Sequence, residues 1–312
     1  MERVLVVGAT GDQGLVQVEQ LWAAGREVVA ASRRLRPAQL PQGVQSVYLD
    51  LQEPTSLPPA LADIDTVFLN LPSASFTDPA TILQGFDHLL QAAERAPVQR
   101  IVFNTSLYVG DSPVGHVAHD TRHTIIERLF ASKVAATAVC PVIFMENMLR
   151  GWALPALRER QVLSYPHDEN LPVSWISLTD VARIMMRLAN EPDAENRRFV
   201  VGGPQALRGP ETAALLSAAW GRQIRFESLP VAAFAERMGE LFGNGDRLNS
   251  ERITRDLQRV YQWYNTENPS PFTVDMAKFL ARYPLALLNV KDWAMQNPIF
   301  DKEPDVGSGS KA

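Results

Sequence analysis

Val4-Leu5-Val6-Val7-Gly8-Ala9-Thr10-Gly11-Asp12-Gln13-Gly14 lies at the start of the chain and decides its fold. Four apolar residues predict a short strand, and three glycines follow at intervals of three. Leu15 to Ala24 then predicts a helix, Gly25 ends it, and Glu27 to Ala31 predicts a second strand. Each glycine has a physical reason here: a tight turn, a backbone that lets a pyrophosphate come close, and close packing of helix on strand. The loop's free N–H groups and the helix N-terminus offer partial positive charge to phosphates. Strand, loop and helix in this order predict a dinucleotide-binding unit.

The residue that separates the two nicotinamide dinucleotides stands about 20 positions beyond the loop, at the end of the second strand. An NAD site places a carboxylate there to accept from the ribose 2′-hydroxyl. This chain reads Ser32-Arg33-Arg34, with Arg36 close behind. A guanidinium pairs with a 2′-phosphate through charge-assisted, forked hydrogen bonds and stacks on adenine. The expected cofactor is therefore NADP(H), held by Arg33 and Arg34. Asp12 runs against this arrangement, because a carboxylate beside phosphates repels them unless it turns to solvent.

The 312 residues suit one large α/β unit with a smaller lobe. A net charge of −5 gives no electrostatic footprint for nucleic acid or an anionic membrane, so neither partner is expected. A single cysteine excludes an internal disulfide framework and fits a reducing, cytoplasmic setting. Nothing reads as a signal peptide, and no apolar run reaches the ~18 residues that a membrane span needs.

Strand and helix signals alternate along the first two-thirds. Strands are expected at Val44 to Leu49, Thr66 to Leu71, Arg100 to Thr105, Ala136 to Cys140, Val173 to Ile176 and Arg198 to Val201. Helices are expected from Pro79 to Glu94, with Ile82, Phe86, Leu89, Leu90 and Ala93 at helical spacing, and from Asp120 to Ser132. Alternation of this kind implies a parallel sheet covered by helices on both faces. Beyond residue 202 the texture becomes mainly helical, apart from a strand-like Ile224 to Leu229. Tyr261, Trp263, Tyr264, Phe272, Phe279, Tyr283 and Trp293 gather there. Most are expected to pack the lobe's own core, and a minority to line an apolar cleft. The reading is a Rossmann-type, doubly wound α/β fold. Residues 1–150 form the dinucleotide-binding domain, its sheet completed by strands near 173–176 and 198–202. Residues 151–305 are a mixed segment with a mainly helical C-terminal lobe over the substrate, and 306–312 a flexible tail.

The chain resembles the NmrA-like branch of the atypical short-chain dehydrogenases/reductases. The matching segments are Val4 to Gly14, Ser32-Arg33, Asp50-Leu51, Ile101 to Ser106, Pro141 to Asn147 and Val173 to Ala182. The likeness is convincing from residue 4 to about 230. It implies that Gly8, Thr10, Gly11, Asp12, Gln13 and Gly14 hold the pyrophosphate and Arg33 the 2′-phosphate. Asp50 and Leu51 would border the adenine, and Leu71 and Pro72 would lie along the ribose and pyrophosphate. Thr105 and Ser106 would stand beside the nicotinamide, closed off by Pro141, Phe144 and Asn147.

Reductases of this superfamily usually carry Tyr-x-x-x-Lys, in which the tyrosine protonates a carbonyl oxygen and the lysine lowers its pKa. None of the six tyrosines here has a lysine four residues later; Ser112 follows Tyr108 and Glu169 follows Tyr165. Where the family often keeps a lone lysine, the likeness places His123, with Arg122 beside it. Three of the five histidines, His116, His119 and His123, lie within eight residues, and histidine exchanges a proton near neutral pH. His123, His119, Tyr108 and Ser106 are therefore the catalytic candidates. His119 and His123 also have the spacing of a helical metal motif, but no metal site is assigned. Cys140 reads as a small buried apolar residue and Thr179 as a helix cap. The leading expectation is an NADPH-dependent oxidoreductase acting on an apolar or aromatic small molecule such as a conjugated alkene, quinone or imine. The alternative is a non-catalytic NADP(H)-binding redox sensor that acts through a protein partner.

Overall fold

The computed structural model describes residues 2–34, 37–71, 78–243 and 245–300. Pro72, Arg36 and the tail at 306–312 lie outside the described residues. In chain order the elements are β1 (Arg3–Val7), α1 (Asp12–Ala23), β2 (Glu27–Ser32), β3 (Gln45–Tyr48), α2 (Leu57–Leu61), β4 (Thr66–Asn70) and α3 (Pro79–Ala93). There follow β5 (Arg100–Asn104), α4 (Val117–Phe130), β6 (Ala135–Pro141), α5 (Leu154–Arg160), β7 (Val162–Tyr165), α6 (Leu178–Ala189) and β8 (Arg197–Val201). The remaining elements are α7 (Gly209–Trp220), β9 (Arg225–Ser228), α8 (Val231–Phe242), α9 (Arg247–Thr266), α10 (Ala277–Arg282) and α11 (Val290–Gln296).

Seven strands form one parallel sheet in the order β3-β2-β1-β4-β5-β6-β8. The order reverses between β1 and β4, and ligands of open α/β sheets bind outside the carboxyl ends of the strands at such a switch. Every residue of β4 and β5 is buried, as a sheet covered on both faces requires. Along β1 the side chains alternate: Leu5 and Val7 join one core with Leu57, Phe86 and Ile125. Val4 and Val6 join the other, with Val18, Leu21, Ile184 and Leu188. A third core, built around Tyr165, Trp175, Leu216 and Trp293, belongs to the lobe.

Two expectations are corrected. Val173 to Ile176 does not complete the sheet; it makes isolated bridges, Phe144 to Ile176 and Val173 to Leu207. Its neighbours are loops, so the apolar run stays buried without a ladder. The strand at 225–228 pairs with β7 in a separate two-stranded sheet, and β7 was missed because it follows α5 after the single left-handed residue Gln161, with no glycine or proline to mark the turn. The cap of α6 is Ser177, whose Oγ accepts from the N–H of Asp180 at 3.0 Å, rather than Thr179. Among the described residues no helix is long and apolar enough to cross a membrane.

Candidate functional site

The glycine loop turns between β1 and α1 with little room to spare. Gly8 has φ +74°, and a Cβ there would meet the Asn70 carbonyl oxygen at 2.7 Å. A Cβ on Gly14 would stand 2.2 Å from the Gly8 carbonyl oxygen, so both positions exclude any side chain. Gly11 differs: its Cβ would meet only the Gly8 oxygen, at 3.4 Å, and otherwise face open space. Gly11 also begins α1 with no side-chain cap, leaving the first N–H groups of the helix for an external acceptor. A bare, glycine-lined helix start fits a pyrophosphate.

At the other end of the loop the polar side chains form a ladder across the strand ends. Asn70 and Asn104 end β4 and β5 in register. Asn104 Nδ2 donates to Asn70 Oδ1 at 3.1 Å and to Gln13 Oε1 at 2.7 Å. Ser106 Oγ donates to the same Gln13 oxygen at 2.9 Å, and the Ser106 N–H donates to Asn104 Oδ1 at 2.9 Å. Ser106 is held at φ +64°, a left-handed conformation that non-glycine residues adopt at a cost. Thr105 is buried and donates to the carbonyls of Leu107 at 2.6 Å and Val139 at 3.2 Å. The structure thus brings Gln13, Thr105 and Ser106 together, and adds Asn70 and Asn104, which sequence reasoning missed. Asparagine at the same register of neighbouring strands was the available signal.

Arg122, rather than His123, reaches the exit of β5. Its Nε donates to the Thr105 carbonyl at 2.6 Å and its Nη1 to the Ala118 carbonyl at 2.9 Å. Burial pulls its pKa down to about 10. His123 is half-buried and contacts the Asp111 carbonyl at 3.3 Å. His119 is buried and shares a hydrogen bond with Tyr264 Oη at 2.6 Å, with no partner at Nδ1 among the described residues. Burial lowers the His119 pKa to about 3, so the ring is neutral. Asp120 accepts from the N–H groups of Val114 and Gly115. Among the described residues no group of three or more His, Cys, Asp or Glu side chains is placed to hold a metal ion.

Tyr108 is half-buried with its ring centroid 6.2 Å from that of Trp263. From there aromatic contacts continue through Tyr264 and Tyr261 to Tyr165. Tyr165 Oη accepts from Asn147 Nδ2 at 3.3 Å. An aromatic array supplied largely by α9 therefore runs from the exit of β5 to the exit of β6. Phe144 and Pro141 are buried at that second exit. Glu146 beside them accepts from the Leu178 N–H and, at 3.1 Å, from Trp293 Nε1. Its pKa is pushed up, chiefly by burial.

At the opposite end, Ser32 Oγ donates to the Arg34 carbonyl at 2.7 Å, and Arg33 and Arg34 are exposed. Asp50 is fixed by its own N–H, which donates to Ser56 Oγ, and by Oδ1, which accepts from the Gln52 N–H. Leu51 packs into the first core and Leu71 against it. Asp12 is exposed and paired with Arg150. Cys140 is buried, its thiol pushed up to about 12 by that burial, as a small apolar residue would be.

The sequence profile described as the NmrA-like family matches residues 1–283. The chain is 35% identical over 240 residues to an NAD(P)H azoreductase of Xenophilus azovorans, covering 75% of this chain and 80% of that protein. It is 27% identical over 282 residues to the photosystem II assembly factor Ycf39 of a Synechocystis strain, covering 88% and 80%. A crystal structure of an NADPH-dependent quinone oxidoreductase of Escherichia coli, complexed with NADPH, superposes with a TM-score of 0.70. It covers 94% of this chain and 99% of its own at 22% identity, a likeness of fold.

Proposed function

The chain belongs to the NmrA-like family, and on that footing we propose that it is an NADPH-dependent oxidoreductase of conjugated, largely apolar small molecules. Gly8, Thr10, Gly11, Gln13 and Gly14 hold the pyrophosphate, and Arg33 with Arg34 binds the 2′-phosphate. Asp50, Leu51 and Leu71 border the adenine and ribose; Thr105, Ser106, Pro141, Phe144 and Asn147 flank the nicotinamide. When bound, the cofactor supplies a hydride. The observation that carries the reading is the aromatic array from Tyr108 through α9 to Tyr165, which joins the two strand exits at which a nicotinamide would be flanked. Tyr165 and Tyr264 are buried within the array, and its half-buried members Tyr108, Tyr261 and Trp263 are the rings open to a flat acceptor.

The proton side of the reaction falls to hydroxyls. Ser106 Oγ is oriented by Gln13. Tyr108 offers a phenol whose pKa burial raises above its ordinary value. His119 serves as a tie between α4 and the lobe, and His123 stays on the outer side of α4. Acceptors whose reduction needs no strong acid suit this equipment, namely quinones, azo compounds, enones and imines. The azoreductase among the relatives supports that choice. The test is NADPH absorbance in the presence of a panel of these acceptors. Consumption is expected with at least one class and is expected to vanish in Gly14→Ala, which cannot close the loop. Tight NADPH binding without consumption across the panel would overturn the enzyme reading.

One observation favours a second reading, in which the chain binds the dinucleotide and acts through a protein partner. Leu241, Phe242 and Leu248, at the turn between α8 and α9, are 54%, 52% and 69% exposed. The relative named as a photosystem II assembly factor fits that reading. It predicts binding without turnover.

A further inference from the structure

Consecutive residues at the start of α1 reach two different strand exits. Gln13 accepts from Asn104, at the end of β5, and from Ser106 just beyond it. Asp12 pairs with Arg150, which is 138 residues away and lies beyond β6. The backbone of Arg150 is fixed: its N–H donates to the Asn147 carbonyl at 3.3 Å, and its own carbonyl accepts from Ala153 and Leu154 at 2.8 Å each. Both side chains remain open to solvent, Arg150 at 41% and Asp12 at 63%. An exposed ion pair adds little to stability, so the pair is poorly explained by folding alone.

Charge at the glycine loop explains it better. A carboxylate on the first helical residue suits the helix dipole, yet it repels an anion approaching the same N–H groups. A guanidinium placed beside it cancels that repulsion. One contact through Nη1 does not exhaust its five donors, and the planar fork matches phosphate oxygens.

We infer that Arg150 is a further cofactor-binding residue, anchored by Asp12 beside the glycine loop and directed at the diphosphate of the dinucleotide. The inference rests on the cofactor reading above and adds a residue contributed from beyond β6. Because the diphosphate is common to both nicotinamide dinucleotides, Arg150 acts on each alike, whereas Arg33 acts chiefly through the 2′-phosphate.

Calorimetric titration of the full chain with NADP⁺, NAD⁺ and adenosine 2′-phosphate tests this. Arg150→Met is expected to weaken NADP⁺ and NAD⁺ by the same factor, about tenfold as for one charge-assisted hydrogen bond. Adenosine 2′-phosphate, which has no diphosphate, is expected to bind unchanged. Adding Asp12→Asn to Arg150→Met is expected to recover part of the loss, by removing the carboxylate left uncompensated. NADP⁺ affinity unchanged in Arg150→Met would overturn the inference, as would an equal loss for adenosine 2′-phosphate or no recovery on adding Asp12→Asn. Absence of heat with NADP⁺ in the unaltered chain would instead sink the cofactor reading, and Arg150's role with it.

Discussion

Ser106 adopts its left-handed backbone because Asn104 Oδ1 accepts its N–H while Gln13 fixes its hydroxyl. Such strain persists only where the surroundings over-determine it, and it clusters at functional sites. Residue identity alone could not reveal this, since nothing in Asn104-Thr105-Ser106 requires a positive φ. The glycine loop was legible for the opposite reason: Gly8 and Gly14 are required by backbone contacts of 2.7 and 2.2 Å that no side chain survives. Arg33 was legible as a charge at a diagnostic position, and the structure leaves it exposed after β2. Arg33→Ala is expected to weaken NADPH about ten- to a hundredfold, the worth of a charge-assisted contact, while leaving NADH nearly unchanged. Fluorescence titration with both coenzymes checks this; an unchanged preference would remove Arg33 from the site.

Helices α4 and α9 meet through a polar contact set among rings. His119 and Tyr264 share their hydrogen bond within a cluster of His116, Trp263 and Phe272. The sequence showed the histidines but not the partner, because Tyr264 lies 145 residues away. Histidines on a helix suggested proton chemistry, and the fold uses His119 for packing. Tyr264→Phe removes the hydrogen bond to Nε2 of a buried ring whose Nδ1 has no partner among the described residues. The expected cost is about 1–3 kcal/mol of folding stability, read as a lower urea midpoint at unchanged slope. A midpoint within error of the unaltered chain would show that the contact contributes nothing. Element boundaries were less legible than element types: α4 begins at Val117, three residues before its expected start.

Over the whole molecule, burial of imidazoles couples stability to pH. His119 and His167 both have pKa values lowered from 6.5 to about 3 by burial. His167 sits among Tyr165, Trp175, Tyr261 and Phe272, its Nε2 without a partner among the described residues. Below about 6.5 the unfolded chain takes up protons on both rings, and the folded chain does not until about 3. Stability is therefore intact above pH 6.5 and falls as pH drops towards 3, by about 1.4 kcal/mol per unit for each ring. Urea unfolding at pH 7.5 and pH 5 should show the loss, and His167→Phe should roughly halve its slope. Equal midpoints at the two pH values would contradict burial of the neutral rings. At this scale the parallel sheet was plain from alternating apolar runs, whereas the small sheet of β7 with β9 was not. Its strands are separated by α6, β8 and α7, and nothing local announces that they pair.

The contact between Trp293 and Glu146 joins the last helix to the turn that carries Asn147 and Arg150. Asp180, buried at the head of α6, is likewise met by the Leu288 N–H at 2.8 Å. During synthesis these braces emerge after everything they support. The wall that carries Asn147 and Arg150 is thus completed only after the segment at 288–293 has left the ribosome and docked.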